Sequence, residues 1–380
     1  MIDYIILGAG LSGAVIAERI ATQLNKKVLI IEKRNHIGGN CYDYKDENNT
    51  IVHKYGPHLF HTNNKKVVDY LSNFTSWHIY NHEVLAYIDG KKVPIPFNFN
   101  TLYELFPKSK AKILEGKLLE HYDYNTKVPI LDLKKSTDKD LQFLANFIYE
   151  KVFLNYTAKQ WGLKPEDIDP EVTARVPVFI GRDNRYFNDE YQMVPQDGYT
   201  KMIANMLDYA NIKILLNTNF KEVCEITGKD FYIFGSKFEG KIIYTGPIDE
   251  LFDYKFGELP YRSLDMRFET LDCEYFQEKA TVNYPNNYDF TRITEFKHIH
   301  PVKINKTTIL KEYPQNYIRG KNTPYYPIFT KENQEKYNQY LDYSKEFKNV
   351  ILVGRLAEYK YYDMDDVVER ALEVFDEEVK

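Results

Sequence analysis

The sequence predicts an α/β protein built around a Rossmann-like dinucleotide-binding domain, and three observations lead to this prediction. A glycine-rich turn separates a short apolar strand from a helical segment near the N-terminus. Residues 98–165 show helical periodicity, whereas residues 260–313 alternate apolar and polar positions as strands do. A mainly helical insertion and a strand-rich part are therefore expected. Because the sequence has no low-complexity linker, the domains are expected to be interleaved along the chain.

The composition narrows the class of protein. With 380 residues, 43% of them hydrophobic and 28% charged, the chain can bury a large core or form two or three domains. The net charge of -5 gives no electrostatic footprint for nucleic acid. Cys41, Cys224 and Cys273 fit neither a disulfide framework nor a zinc site. No stretch approaches the roughly 20 apolar residues of a membrane span, so a soluble, cytoplasmic protein without membrane insertion is expected.

The secondary structure can be predicted in chain order. Strands are expected at Asp3–Leu7 and Lys27–Glu32, on either side of a helix at Ala14–Leu24. Ser136 and Thr137, followed by Asp140, are typical of a helix start. Further strands are predicted at residues 212–216, 231–234, 241–244 and 350–353, with several short strands within residues 260–313 and a closing helix at about residues 365–377.

The glycine motif Gly8-Ala-Gly10-Leu-Ser-Gly13 follows a predicted strand and opens a predicted helix. In this motif Gly8 permits a tight turn, Gly10 lets the backbone approach a pyrophosphate, and Gly13 lets the helix pack closely on the sheet. The helix N-terminus then presents free amides to the phosphates. Glu32 ends the second strand at the spacing of a ribose-binding acid, so the motif has its full structural context.

The residues that follow favour FAD over NAD. Lys33 to Asn40 resembles the acid-then-Gly-Gly element of FAD proteins of the amine-oxidase-like class. Gly354-Arg355 and the segment from Asp363 to Asp366, before a predicted helix, resemble the second flavin contact of that class. A second glycine motif for a dedicated NAD(P)H domain is absent from the sequence. FAD is therefore the predicted cofactor.

Over nearly its full length the sequence resembles the bacterial UDP-galactopyranose mutase family. The order and spacing of several short stretches support this resemblance together: residues 38–42, 55–62, 93–96, 161–162, 244–249, 291–293, 324–327 and 354–365. The resemblance implies an FAD-binding domain (residues 1–75, 192–258 and 340–380), a helical domain (98–165) and a twisted antiparallel sheet that binds substrate (76–97, 166–191 and 259–339).

The resemblance also implies a reaction and its partners. UDP-galactopyranose and UDP-galactofuranose would be interconverted by attack of reduced flavin N5 on the anomeric carbon, with no net redox change. FAD would be active only when reduced, so an external reductant is expected. The product would supply galactofuranose for a cell-surface polysaccharide, and the bacterial members are commonly homodimers.

Site residues follow from the resemblance position by position. Expected cofactor contacts are Gly8, Gly10, Ser12, Gly13, Glu32, Lys33, Gly39, Asn40, His58, Leu59, Val223, Gly354, Arg355, Asp363, Met364 and Asp365. Expected substrate contacts are Asn81, Phe153, Tyr156, Thr157, Trp161, Arg175, Tyr186, Asn283, Arg292, Tyr326 and Tyr361. Arg175, Arg292 and His61 are the expected catalytic residues. No metal site is expected, because no carboxylate cluster with ligand spacing accompanies His58 and His61.

The chemistry of these residues agrees with a nucleoside-diphosphate ligand, although each has a purely structural alternative. The planar fork of Arg175 or Arg292 can bind phosphate oxygens bidentately, but most arginines form surface ion pairs. Phe153, Tyr156, Thr157 and Trp161 share one face of a predicted helix, either as a uridine pocket or as a core face. Two other functions stay open: an amine-oxidase-like flavin oxidoreductase, and a flavin-binding module without catalysis.

Overall fold

The computed structural model describes residues 2–162 and 177–380. Within these ranges the chain forms a five-stranded parallel sheet, a seven-stranded sheet, a helical unit and several smaller sheets. The α/β class with a Rossmann-like domain, a helical insertion and a second large sheet is confirmed.

The parallel sheet has the N-terminal strand Tyr4–Leu7 at its centre. Val28–Ile31 and Lys241–Tyr244 pair with it on either side, and Ile212–Leu215 and Val350–Leu352 form the outer strands. Successive side chains of these apolar strands enter opposite cores, because strand residues alternate between the two faces of a sheet. Burial on both faces explains the continuous apolar runs in the sequence.

Helices Leu11–Gln23 and Met364–Val374 cover one face of the parallel sheet. The first begins inside the glycine motif, ahead of its predicted start, and the last continues as a π-helical turn at Phe375–Val379. The other helices in this part are Lys65–Leu71, Tyr199–Met206, Phe220–Val223, Ile248–Leu251 and Lys331–Ser344, and a 3-10 turn spans Gly39–Cys41. Its shorter strands are Asp43–Lys45, Ile51–His53, Phe60–Thr62, Trp77–Ile79, Tyr191–Pro195, Cys224–Thr227, Asp230–Ile233 and Ser236–Lys237.

The helical unit follows the predicted insertion. Its helices are Phe99–Leu105, Lys108–His121, Ile130–Leu133, Lys139–Ile148 and Asn155–Trp161, with a π-helical turn at Tyr149–Leu154. Asp138 caps the fourth helix, where Ser136 and Thr137 were predicted, because its carboxylate accepts the amide protons of Asp140 and Leu141. Strand Val178–Ile180 pairs with Thr126–Val128 of this unit. The domain bounds expected from the sequence instead placed residues 166–191 with the antiparallel sheet.

The seven-stranded sheet runs in the order Tyr326–Pro327, Tyr261–Leu271, Thr307–Asn316, Arg292–Glu295, Thr281–Asn283, Val84–Ile88 and Lys91–Ile95. A 3-10 turn, Phe296–His298, follows the fourth of these strands. The predicted short strands within residues 260–313 are present at 281–283 and 292–295, but 261–271 and 307–316 are long strands that pair along their whole length. One pair, 281–283 with 84–88, is parallel. Parallel neighbours need a long crossover, and the helical unit lies within the connection between these two strands.

None of the helices in the described ranges is both long and apolar enough to cross a membrane.

A buried histidine pair joins the strand Ile51–His53 to the turn after Phe296–His298. The Nε2 atoms of His53 and His300 lie 3.2 Å apart, and His53 Nδ1 accepts the His58 backbone N–H. His53 therefore carries its proton on Nε2 and donates it to His300. Burial lowers the pKa of His53 well below its ordinary value and that of His300 to about 4. The pair is thus neutral in the fold.

Because the folded pKa values are depressed, unfolding takes up protons as the pH falls. The stability that these neutral rings contribute above about pH 6.5 is lost as the pH falls toward 4. We expect His300→Asn to make the free energy of unfolding less pH-dependent between pH 6 and 4.5, by up to about 1.4 kcal/mol per pH unit. Urea titrations at several pH values measure this slope. His121→Asn, at an exposed helix end, is the control, and equal slopes in wild type and His300→Asn would contradict the prediction.

Candidate active site

Two adjoining cavities lie where the parallel sheet meets the seven-stranded sheet. The large cavity, about 710 Å³, begins at the carboxyl ends of three parallel strands, at Leu7, Ile31 and Tyr244. The small cavity, about 190 Å³, lies against the seven-stranded sheet. Both are lined by Asn40, His58, Arg355, Asp363 and Met364. Ligands of open α/β sheets bind at this edge, so the cavities are the candidate cofactor and substrate sites.

The glycine turn has the geometry that a pyrophosphate needs. Gly8 has a φ of +115°, and a Cβ on Gly13 would lie 2.3 Å from the Gly8 carbonyl oxygen. The atom nearest to a Cβ on Gly10 is Gly39 Cα at 3.8 Å, so the backbone is open to the large cavity. Side chains of the described residues do not cap the helix that starts at Leu11. Its first amides therefore remain available to an anion.

Glu32 lies at the end of its strand and is buried, at 5% exposure. Its Oε2 accepts the Ala9 N–H and its Oε1 accepts the Arg34 N–H, both at 2.8 Å. Two backbone donors thus hold the carboxylate in place. Its remaining acceptor sites can receive the hydroxyls of a ribose in the large cavity.

The C-terminal segment closes the other end of the large cavity. Gly354 approaches the first helix so closely that a Cβ would lie 2.7 Å from Ser12 Oγ. The Arg355 guanidinium carbon lies 5.5 Å from the ring centroid of Tyr326 and 5.3 Å from that of Tyr361. These two rings are parallel within 4°. A cation is therefore held at the junction of the two cavities.

Most of the predicted cofactor contacts line the large cavity: Gly8, Gly10, Ser12, Glu32, Lys33, Gly39, Asn40, His58, Gly354, Arg355, Asp363 and Met364. Gly13 packs behind the turn, Leu59 lines the small cavity, Val223 packs against a core, and Asp365 lies in the first turn of the last helix. Sequence reasoning missed Gly38, Cys41, Thr218, Thr245 and Gly246 among the lining residues. Thr245 and Gly246 directly follow a predicted strand. Because ligands bind at the carboxyl ends of such strands, this position could have identified them from the sequence.

The small cavity gathers many of the predicted substrate residues. Its lining includes His61, Tyr156, Tyr186, Asn283, Arg292, Tyr326 and Tyr361, together with His82, which the sequence analysis did not select. Thr157 is buried in the same helix as Tyr156, and Asn81 is exposed beside His82. Trp161 ends that helix. Arg175 lies outside the described residues.

Phe153 lies in the core of the helical unit, at 3% exposure, rather than among the residues that line the cavities. The predicted helical face assumed one continuous α-helix. The π-helical turn Tyr149–Leu154 contains Phe153, so the helix is not regular over this face. The core alternative fits the surroundings of Phe153, and its contact with substrate stays a prediction.

Arg292 is fixed by a buried carboxylate. Its Nε donates to Glu312 Oε1 at 2.6 Å, and the Glu312 side chain is fully buried. Burial opposes the charge of Arg292, but the Glu312 carboxylate outweighs this effect and raises the arginine's pKa above its ordinary value. The bond uses Nε, and among residues 2–162 and 177–380 no hydrogen bond engages the two terminal nitrogens, which suits them to another anion. Sequence reasoning missed Glu312, because its contact depends on strand register.

Asn283 and Arg292 line the small cavity and pair in register on neighbouring strands, and Arg292 pairs in turn with Glu312 behind it. Within the part of the chain that the structure describes, Asn283 Oδ1 and Thr281 Oγ1 are buried without a hydrogen-bond partner, and both residues line the cavity. Buried polar atoms are normally satisfied, so these two are suited to hydrogen bonds with a polar ligand.

The histidines of the small cavity differ in their surroundings. His58 Nδ1 lies 2.8 Å from the Gly56 carbonyl oxygen, so the proton is on Nδ1 and Nε2 carries the lone pair. Burial lowers the pKa of His58 to about 4 and that of His82 to about 3, which keeps both rings neutral. His61 instead has a carboxylate partner, with its Nδ1 3.0 Å from Asp189 Oδ2. Positive charge at this site comes mainly from Arg292 and Arg355.

Residues 2–162 and 177–380 contain no group of three or more histidine, cysteine, aspartate or glutamate side chains that could hold a metal ion.

Known families match both halves of the chain. The model of the UDP-galactopyranose mutase family matches residues 151–361, and that of the NAD(P)-binding Rossmann-like domain matches residues 6–74. A dTDP-fucopyranose mutase of Escherichia coli is 35% identical, over 98% of this chain and 97% of its own length. A probable UDP-galactopyranose mutase of Klebsiella pneumoniae is 34% identical, over 99% and 94%.

Solved structures share the fold at lower sequence identity. A crystal structure of reduced UDP-galactopyranose mutase has a TM-score of 0.73 at 15% identity and covers 99% of this chain and 93% of its own. A putative protoporphyrinogen oxidase from Exiguobacterium has a TM-score of 0.67 at 12% identity, over 98% and 97%. At these identities the likeness concerns the fold alone.

The close packing at Gly13 gives a test of the dinucleotide site. We expect Gly13→Ala to lose bound cofactor, because the new methyl would meet the Gly8 carbonyl oxygen and push the turn out of shape. Absorbance of the purified protein in the visible range measures the expected FAD. Gly116→Ala is the matched control, since a Cβ there meets no described atom within 4 Å. Full cofactor occupancy in Gly13→Ala would show that the turn is not the binding element.

Proposed function

Because this chain belongs to the UDP-galactopyranose mutase family, we propose that it interconverts UDP-galactopyranose and UDP-galactofuranose with the help of FAD bound in the large cavity. The observation that carries this proposal is the position of Arg292. Its free guanidinium nitrogens lie in the small cavity, beside the junction with the cofactor cavity. A diphosphate held there would leave its sugar between the two sites.

The large cavity fits FAD through the open backbone at Gly10, the uncapped helix N-terminus and the carboxylate of Glu32. When bound and reduced, FAD would supply an electron-rich N5 as nucleophile toward the anomeric carbon. His58 and Arg355, which line both cavities, would contact it on the substrate side. Leu59, Val223 and Asp365 remain proposed contacts from the resemblance to the family.

Departure of UDP builds negative charge on the diphosphate, and the proposed role of Arg292 is to stabilise that charge. Two terminal nitrogens can bind phosphate oxygens bidentately, and each charge-assisted bond is worth roughly 1.5–3 kcal/mol. Glu312 holds the guanidinium in advance, so little reorganisation is needed when the charge develops. Arg175 is proposed as the second diphosphate ligand on the family resemblance alone.

The remaining substrate contacts are proposed from their place in the small cavity. Tyr156 would stack on the uracil ring, with Thr157 and Trp161 in the same helix. The hydroxyls of Tyr186, Tyr326 and Tyr361 would reach the diphosphate, and Asn283 and Asn81 would contact the nucleotide-sugar. The core position of Phe153 supports an indirect role through the helix that carries Tyr156.

A second substrate has comparable support from the relatives. The E. coli relative is named for dTDP-fucopyranose and is 35% identical, against 34% for the K. pneumoniae relative. Family membership therefore leaves the base and the sugar substituent open. A homodimer, a cytoplasmic location, an external reductant and use of the product in a surface polysaccharide are further proposals from the resemblance.

Turnover of defined sugars tests the proposed function. The FAD-loaded protein, reduced with dithionite, is incubated with UDP-galactofuranose, and the products are separated by chromatography. We expect UDP-galactopyranose without any oxidised product, and no turnover with oxidised FAD. Preferential conversion of dTDP-fucofuranose would assign the second substrate. Reduction of O₂ at the expense of an added amine would instead assign the oxidoreductase alternative.

Removal of the Arg292 guanidinium group should slow turnover strongly without releasing FAD. We expect Arg292→Ala to lower kcat/KM by 100-fold or more, since two bonds of roughly 1.5–3 kcal/mol each are lost. Arg292→Lys keeps the charge beside Glu312 and should fall between alanine and wild type. Arg267→Ala, which removes an exposed arginine of the same sheet, is the control. Loss of the visible FAD spectrum in Arg292→Ala would move this residue to the cofactor site.

A further inference from the structure

We propose that the His61–Asp189 pair transfers the proton that ring contraction requires, with Asp189 as the residue that positions the imidazole. This inference rests on the proposed function, because it assigns a role within that reaction. Asp189 Oδ2 lies 3.0 Å from His61 Nδ1. The other ring nitrogen, Nε2, does not take part in this contact.

The proton is required by the difference between the two sugars. In the pyranose the ring oxygen is O5 and O4 carries a proton; in the furanose the ring oxygen is O4 and O5 carries a proton. The C1–O5 bond therefore breaks and a C1–O4 bond forms, while one proton leaves O4 and one arrives at O5. No electrons are gained or lost overall. A single group that gives one proton to O5 as the first ring opens and takes one from O4 as the second ring closes completes the balance.

The strand that carries His61 directs it into the small cavity. Phe60 and Thr62 are buried, and strand residues alternate in direction, so His61 lies on the opposite side. The ring of Phe187 stacks on the imidazole, with centroids 3.6 Å apart and planes within 17°. The stacking fixes the plane of the ring, and the bond from Nδ1 fixes its rotation.

Asp189 is itself held on both carboxylate oxygens. Oδ2 faces His61, and Oδ1 accepts a hydrogen bond from Asn63 Nδ2 at 2.9 Å. The bond with His61 holds the pKa of Asp189 below its usual range, so the carboxylate is ionised and can only accept. His61 Nδ1 must then carry the hydrogen. The lone pair lies on Nε2, where it can take the proton from O4, and the carboxylate stabilises the resulting imidazolium.

The other imidazoles of the small cavity are less suited to this task. His58 has a peptide carbonyl as its Nδ1 partner, and the Tyr80 hydroxyl lies 3.3 Å from His82 Nδ1. Burial lowers the pKa of both rings, so neither holds a transferred proton readily. Of the described residues that line this cavity, His61 is the histidine with a carboxylate partner.

Asp189→Asn tests the pair in the reduced, FAD-loaded enzyme. We expect kcat with UDP-galactofuranose to fall by about 100-fold or more, the usual contribution of a positioned acid–base group. FAD content and UDP affinity, measured by calorimetry, should stay within about twofold, because the carboxylate contacts neither ligand. Asp189→Glu, which keeps a carboxylate, should recover part of the lost kcat. Asp265→Asn, an exposed carboxylate of the seven-stranded sheet, is the control.

A spectroscopic measurement separates positioning from a merely structural effect. In ¹⁵N-histidine-labelled protein, the His61 signals are assigned by their loss in His61→Gln. We expect the Nδ1–H tautomer in wild type and a shift toward the Nε2–H tautomer in Asp189→Asn. Near wild-type kcat in Asp189→Asn, an unchanged tautomer, or a parallel loss of UDP affinity would each overturn the proposal. Failure of the wild-type enzyme to convert UDP-galactofuranose would instead overturn the proposed function.

Discussion

A partly buried guanidinium paired with a fully buried carboxylate is the interaction on which the small cavity depends. Arg292 keeps its charge in an enclosed position because Glu312, on the neighbouring strand, offsets the cost of burial. The pair is set by the register of two neighbouring strands, so their pairing orients the arginine. The orientation of this guanidinium is therefore a property of the sheet.

The sequence predicts the parts of the structure that local chemistry determines. The glycine turn, the acid that ends the second strand and the helical insertion could be read from residue types and spacing. Periodicity assumes a regular helix, and the π-helical turn that contains Phe153 breaks that assumption, so spacing alone could not predict that its side chain is buried in the core. Glu312 and Asp189 were missed because their partners lie 20 and 128 residues away, and only tertiary structure brings such residues together.

The shape of the site and its chemical specificity are separate questions. The fold is shared with a putative protoporphyrinogen oxidase and a putrescine oxidase at 10–12% identity, so the architecture alone does not determine the reaction. The small cavity holds an arginine, several tyrosines and a carboxylate-paired histidine. Relatives named for two different nucleotide-sugars have nearly equal sequence identity to this chain, so overall identity does not decide between their substrates.

The path of the chain between the two large sheets limits how the protein can be divided. Strands of the parallel sheet come from residues 4–31, 212–244 and 350–352, and strands of the other sheet from residues 84–95 and 261–327. Any contiguous fragment therefore lacks strands of at least one sheet. Truncation leaves an open sheet edge and an exposed apolar face, which favours aggregation over autonomous folding. Neither sheet can therefore be removed as one contiguous segment without also removing strands of the other.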